Sequence, residues 1–415
     1  MKTSKLIVLS AIAAASAAQA DIMDRPKGYT IGERMTLYPY VGFNYTYDSN
    51  IDSSKHSKSG SQWVVSPTVD LTYLDENWSV TGRAYYQYHA YNKYSSQLNT
   101  SSYGENISAK WANSSASEKG WSLIVSEDYR QISQDDDMTS SGGRGIGRDR
   151  QEFTANGAIE RRLNAYMRLA AMGNYYLLDY DNNNDKYAPL YGWKRTVAGG
   201  EIGFAPSPWT ELILHANYQW YRQDNDYDRI NGGNDRGVAS ESKGYSFLAG
   251  IGTRATERID YRLLGGWTRF EYGNGTKDAN GFTYQASAKW KVSDTLSFMA
   301  LGSSYYQPSE TQYASAIKVY TGSVGVGKSF IQGKVSGTFD LSYRKESHEC
   351  STGAAGDYDT DIWTTRLGLS YCLNRFVSLF GSIEYQTSES SGGNVSGHYY
   401  DYDRFRGTVG FRLTY

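Results

Sequence analysis

Residues Asp401–Tyr415 read DYDRFRGTVGFRLTY. From Phe405 onward the odd positions carry Phe405, Gly407, Val409, Phe411, Leu413 and Tyr415. The even positions carry Arg404, Arg406, Thr408, Gly410, Arg412 and Thr414. Side chains of a strand alternate between its faces, so this spacing predicts a strand with one apolar and one wet face. Such a strand needs a cover for its apolar face and a partner for its edge. An edge strand of a soluble sheet has the same need, so the rest of the chain must decide what covers the apolar side.

Met1–Ala20 reads MKTSKLIVLSAIAAASAAQA. Lys2 and Lys5, a short apolar run and Ala18-Gln19-Ala20 have the order of a secretory signal peptide, too short to span as a helix. The mature chain is expected to start at Asp21, outside the cytoplasm. Net charge is −2 for the whole sequence, and removal of the two lysines makes it more acidic, which argues against a nucleic-acid partner. Mean hydropathy is −0.61, and no mature run approaches the ~18 apolar residues of a spanning helix. Yet the chain carries 38 Tyr, 10 Trp, 13 Phe and 43 Gly with only 7 Pro. That aromatic content excludes disorder. Low hydropathy together with many aromatics suits strands that face lipid on one side and water on the other.

The alternation seen at the C-terminus recurs along the chain. Leu37, Pro39, Val41, Phe43, Tyr45 and Tyr47 share one face, and Trp63, Val65, Pro67, Val69, Leu71 and Tyr73 form the next. The turn Asp75-Glu76-Asn77 leads into Trp78, Val80, Gly82, Ala84, Tyr86 and Tyr88. Tight turns are expected at 113–119, 163–164, 206–208, 255–257, 293–294, 331–333 and 374–375. Long polar loops are expected at 49–60, 93–102, 134–148, 181–188, 224–242, 274–280, 308–314, 348–360 and 389–400. Short and long connections that alternate in this way predict a transmembrane, antiparallel, up-and-down β-barrel of about 18 strands (16–18), with turns in the periplasm and loops outside. Asp21–Arg34 lacks alternation and reads as a periplasmic lead-in, leaving 35–415 as a single barrel domain. Segments 190–205, 245–256 and 316–331 alternate least cleanly. Trp63, Trp78, Trp111, Trp121, Trp209, Trp220, Trp290 and Trp363 fall near strand ends, where interfacial girdles lie.

Alternation then assigns an inner face: Asp70, Arg83, Lys110, Asp128, Arg130, Glu160, Arg168, His215, Lys289, Lys291, Asp340, Arg344, Arg366, Glu384 and Arg412. A Lys or Arg on the lipid face would cost ~2–4 kcal/mol at mid-depth. These residues either satisfy one another as charge ladders or set a pore's field; because both signs occur, strong ion selectivity is not expected. Tyr38, Tyr40, Tyr85 and Tyr166 are placed inside as well, either stacking on sugar rings or packing on neighbours.

No catalytic site and no cofactor is expected. There is no Gly-x-Ser-x-Gly elbow and no His-Glu-x-x-His, and of the five histidines His348 and His398 are placed in loops. Asp224, Asp226, Asp228 and Asp235 have an EF-hand-like spacing, but Arg229 stands where that loop needs Gly, so a solvated acidic loop is expected rather than a metal site. Asp135–Asp137 and Asp181–Asp185 read as similar hydrophilic loops that meet lipopolysaccharide. Gly142–Gly147 lacks the strand-to-helix context of a phosphate cradle. Cys350 is placed in an outer loop and Cys372 near the opposite end of the next strand, too far apart to bridge.

The end of the chain resembles the terminal signature of bacterial outer-membrane barrels, in which a final aromatic closes the barrel. The first hairpin, Tyr45-Thr46-Tyr47-Asp48-Ser49-Asn50-Ile51 followed by Pro67-Thr68-Val69-Asp70-Leu71-Thr72-Tyr73, resembles the opening of the "putative β-barrel porin 2" group. Asp401-Tyr402-Asp403-Arg404 resembles that group's closing strand. The resemblance implies an outer-membrane barrel, in some members linked to exopolysaccharide export gene clusters, and it brings no catalytic residue. The expected function is a porin-like passive channel for small hydrophilic solutes or saccharides. The alternatives are a surface receptor or adhesin that binds through its loops, or an auxiliary barrel for exopolysaccharide export. Expected partners are outer-membrane lipid and lipopolysaccharide, the barrel-assembly machinery and polysaccharide, with monomer and oligomer both open.

Overall fold

The computed structural model describes residues 28–51, 58–92, 100–113, 120–132, 149–180, 192–207, 209–223, 241–253, 258–272, 278–308, 316–349, 357–392 and 401–414. A short strand, β1 (Tyr29–Ile31), precedes β2 (Met35–Asp48), β3 (Gly60–Leu74), β4 (Trp78–Tyr91), β5 (Thr100–Ala112) and β6 (Gly120–Ile132). The wall continues through β7 (Arg150–Arg162), β8 (Met167–Tyr180), β9 (Trp193–Phe204), β10 (Thr210–Gln223), β11 (Glu241–Thr253), β12 (Ile259–Tyr272) and β13 (Ala279–Ser293). It ends with β14 (Leu296–Pro308), β15 (Ala316–Phe330), β16 (Val335–Glu349), β17 (Tyr358–Asn374), β18 (Val377–Gly392) and β19 (Tyr402–Thr414). From β2 to β19 each strand pairs antiparallel with the next, and β19 returns to pair with β2, so the 18 long strands close into a barrel. Closure removes the free edge that an open sheet exposes.

The seam shows how the two ends of the sequence meet. Phe411 stands opposite Phe43, Val409 opposite Tyr45 and Arg406 opposite Asp48. The Phe43 and Phe411 rings stack at 5.1 Å on the outside. At the loop end Arg404 donates to both carboxylate oxygens of Asp48 through Nε, at 3.1 and 2.9 Å. Asn50 donates through Nδ2 to the Asp403 carbonyl at 3.0 Å, and Ser49 N–H to the Phe405 carbonyl at 2.9 Å. Asp48, Asn50 and Arg404 are buried, so the Tyr-Asp-Ser-Asn stretch and the closing Asp-Arg form one latch. At the turn end β2 outruns β19, and β1 supplies the missing partner by pairing Tyr29–Ile31 with Met35–Leu37. Gly32 permits the reversal between them with φ +65°, a left-handed conformation open to glycine.

The outer face is apolar. Val125, Ile159, Leu214, Val324, Leu367 and Val409 are all more than two-fifths exposed, an apolar belt that a water-soluble surface does not carry. Direct cross-strand aromatic pairs border it. Trp78–Trp111 at 6.4 Å and Trp290–Phe298 at 5.8 Å lie toward the turn end. Tyr45–Trp63 at 4.9 Å, Tyr218–Tyr245 at 5.2 Å and Tyr343–Trp363 at 4.6 Å lie toward the loop end. These are the girdles of a membrane barrel. Two carboxylates break the belt: Glu105, opposite Ala84 and Tyr129, and Glu127, opposite Ile107 and Ala155, share the outer face.

Several boundaries differ from those the sequence predicts. Residues 29–31, within the expected lead-in, form β1. β16 runs to Glu349, β17 starts at Tyr358 and β18 reaches Gly392, so His348 is a strand residue and not a loop residue. Beyond the girdle both faces of a strand are wet. Outward Lys345 meets Asp359 at 2.7 Å and outward Tyr343 donates to Asp361 at 2.5 Å, which erases the alternation that marks a strand. Tyr166 lies in the turn before β8 and is 61% exposed, so it is not an inner-face residue. Cys372 is a free thiol near the turn end of β17. Met1–Ala20, His56, Asp135–Asp137, Gly142–Gly147, Asp181–Asp185, Cys350, His398 and the Asp224, Asp226, Asp228 and Asp235 spacing lie outside the described residues.

Candidate functional site

The face opposite the apolar belt is the lumen wall, and strand register fixes which side chains it carries. Asp70 and Arg83 are direct partners on β3 and β4, joined from Nε to Oδ1 at 2.7 Å and from Nη2 to Oδ2 at 3.1 Å. Arg130 reaches back two residues along β6 to Asp128 at 2.7 Å. Asp340, Arg366 and Glu384 form one cross-strand row on β16, β17 and β18, with Arg366 Nε 2.8 Å from Glu384. Arg344 donates to Glu346 at 2.6 Å. Arg412 lies over the Tyr40 ring at 4.5 Å. Lys110, Lys289 and Lys291 face the lumen without a hydrogen-bond or ion-pair partner among the described residues.

Glu160 and Arg168 belong to a larger web. Arg168 on β8 donates to Glu201 on β9 at 2.5 Å, to Glu211 on β10 at 2.9 Å and to Glu160 on β7 at 3.4 Å. Arg262 on β12 reaches Glu201 at 3.0 Å, across two intervening strands. Glycines occupy crowded inner positions of the strands around the web. A Cβ on Gly203 would stand 2.0 Å from Glu211 Oε1, and one on Gly250 would stand 1.8 Å from the Leu263 carbonyl oxygen. His215 Nδ1 lies 3.4 Å from Glu201, whose side chain is fully buried. Alternation alone points to Glu160, Arg168 and His215. It does not point to Glu211 or Arg262, nor to Glu201, whose inner neighbours on β9 are Gly199 and Gly203.

Exposure on the wall divides along the barrel axis. Toward the loop end the inner residues are buried: His89, Ser242, Phe270, Val319, Glu346, His348 and Tyr402. His348 stacks on Tyr358 at 4.2 Å and lies 3.3 Å from Glu346. Tyr176, Trp193, Tyr221, Phe270, Tyr272 and Tyr306 form a continuous aromatic cluster there. Toward the turn end Arg83, Lys289, Lys291, Arg366 and Arg412 are exposed. The exception is the β7–β12 web, which stays buried at that level. Among the described residues no group of three or more His, Cys, Asp or Glu is placed to hold a metal ion.

Solved structures of similar shape include the ferric enterobactin receptor PfeA from Pseudomonas aeruginosa. It is 9% identical, with 93% of this chain and 81% of that chain covered and a TM-score of 0.39. The FrpB iron transporter from Neisseria meningitidis is 12% identical over 89% of this chain and 63% of that one, with a TM-score of 0.44. The siderophore receptor PirA from Acinetobacter baumannii is 9% identical over 93% and 81%, with a TM-score of 0.37. No curated protein matches the chain in sequence. One family matches residues 25–415, almost the whole barrel and its lead-in, and by that match the chain belongs to the family described as "Putative beta-barrel porin 2".

Proposed function

We propose that this protein is an outer-membrane channel that passes small hydrophilic solutes, saccharides among them, down their gradients. The observation that carries the reading is the charged, exposed inner wall at the turn end of a closed barrel of 18 strands. A barrel of this strand number has room for an aqueous lumen. Asp70, Arg83, Lys110, Arg130, Glu160, Arg168, Lys289, Asp340, Arg344, Arg366, Glu384 and Arg412 are its pore-lining residues in this reading. Their fixed charges and dipoles replace part of a solute's hydration. Family membership supports the outer-membrane location and a non-enzymatic role.

The buried aromatic cluster at the loop end favours a second reading, a receptor barrel with a blocked lumen. Planar-bilayer recording of the purified protein separates the two. The channel reading expects stepwise conductance with linear current–voltage behaviour near zero voltage, and liposomes that swell in small sugars. Silence over a wide voltage range, with the barrel shown to be inserted, would reject the channel and leave the receptor.

A further inference from the structure

We propose that the lumen prefers anions, so that the solutes it serves best are small molecules bearing carboxylate or phosphate. The inference rests on the channel reading and deepens it. Both signs of charge line the wall, but the hydrogen bonding divides them unequally. Toward the turn end most inner carboxylates are already engaged. Asp70 is held by Arg83, and Glu160, Glu201 and Glu211 are held by Arg168 and Arg262. Glu384 is held by Arg366 and Asp260 accepts from the Thr253 hydroxyl at 3.4 Å, while Asp340, across the ladder from Arg366, has no hydrogen bond or ion pair among the described residues.

Four cations remain over. Lys110, Lys289 and Lys291 make no hydrogen bond or ion pair among the described residues, although Lys289 stands across the ladder from Asp260 and Lys110 lies in the field of Glu160, and Arg412 has the Tyr40 ring beneath it. They belong to β5, β13 and β19, three well-separated sectors of the wall, and all lie within a few residues of a turn-end strand terminus. A paired charge presents a solute with a dipole, whereas an unpaired one presents its full field in a water-filled tube with low-dielectric walls. The unpaired set is four cations against the single carboxylate Asp340, so the turn-end mouth of the lumen concentrates anions and repels cations. Alternation alone lists equal-looking charges, and only the pairing shows which sign is free.

The test is the reversal potential of the full-length protein in planar bilayers under a tenfold KCl gradient. Expected is a chloride-to-potassium permeability ratio above about 2, larger at low salt, as electrostatic selection requires. The combined variant Lys110→Gln, Lys289→Gln, Lys291→Gln and Arg412→Gln should keep its heat-resistant folded form while the ratio falls to about 1. The pair Lys289→Glu and Lys291→Glu should reverse the preference. A cation-selective wild type, or a ratio unchanged in the combined variant, overturns the inference while leaving the channel standing. Absence of conductance removes the channel reading and this inference with it.

Discussion

Replacing Asp48 with alanine should destabilise the barrel by about 3–5 kcal/mol, the loss expected when one partner of a buried ion pair is removed. Asp48 is 6% exposed and Arg404 5% exposed, so the guanidinium left behind would have neither its carboxylate nor ready access to water. Asp48 also accepts from the Asn50 backbone N–H at 2.9 Å and from Arg406 at 3.3 Å. One substitution therefore loosens the loop end of both closing strands. The change is read as a drop in the temperature at which the folded, fast-migrating form is lost on gels, and as a shift in the urea midpoint in detergent. Arg404→Ala should behave similarly, and the double variant should lose less than the sum of the two, because the second change removes an already orphaned charge. Additive losses would mean that the two residues act separately and that the latch is not a unit.

Glu201→Ala carries the second large effect. Glu201 binds two guanidiniums, those of Arg168 and Arg262. Without it Arg168 keeps Glu211 and Glu160, but Arg262 loses its only carboxylate among the described residues, again at a cost of about 3–5 kcal/mol. The contrast with Asp70 and Arg83 decides whether burial or mere pairing sets the cost. Those side chains are 30% and 43% exposed, and Arg83→Ala should cost no more than about 1 kcal/mol, because water screens the pair and solvates what remains. Urea unfolding of both variants in the same detergent gives the comparison. Equal losses would show that the web is no more shielded from water than the open ladder.

The two ends of the sequence were legible because each strand there keeps a whole residue pattern. From Phe405 to Leu413 on β19, and along β2, every outward position is apolar, aromatic or glycine, and most inward ones are polar. The less regular stretches have a physical cause. β9 and β11 put Gly199, Gly203, Gly244, Gly250 and Gly252 on the inner face, where crowding leaves no space for a side chain. Glycine shows neither polarity nor hydrophobicity, so the period-two signal fades at the strands that position the Glu201 web. β15 has the same difficulty: a Cβ on Gly325 would come within 2.8 Å of Asp340.

Polarity misleads in the opposite direction at the rim. Lys345, Asp359 and Asp361 face outward beyond the girdle, so the ends of β16 and β17 look like loop and His348 was placed outside the wall. Tyr166 follows Asn164, whose side chain accepts from the Tyr166 backbone N–H at 2.8 Å. That Asx-type turn sets its position, which an alternation count carried through the turn cannot register. The latch was visible as two motifs at opposite ends of the chain, but their contact depends on three-dimensional closure. No local pattern indicates that Asp48 and Arg404 meet.

The account depends on which solvent each side of a strand touches, and single-cysteine labelling on β19 tests that most directly. In a background with Cys350→Ser and Cys372→Ser, cysteines at Thr408, Val409, Phe411 and Arg412 are treated with a membrane-impermeant maleimide in lipid vesicles. Total reactivity is measured afterwards in urea. Thr408→Cys and Arg412→Cys should label in the folded protein, while Val409→Cys and Phe411→Cys should label only after unfolding. Equal labelling of all four in intact vesicles would place water on both faces and contradict a lipid-spanning barrel.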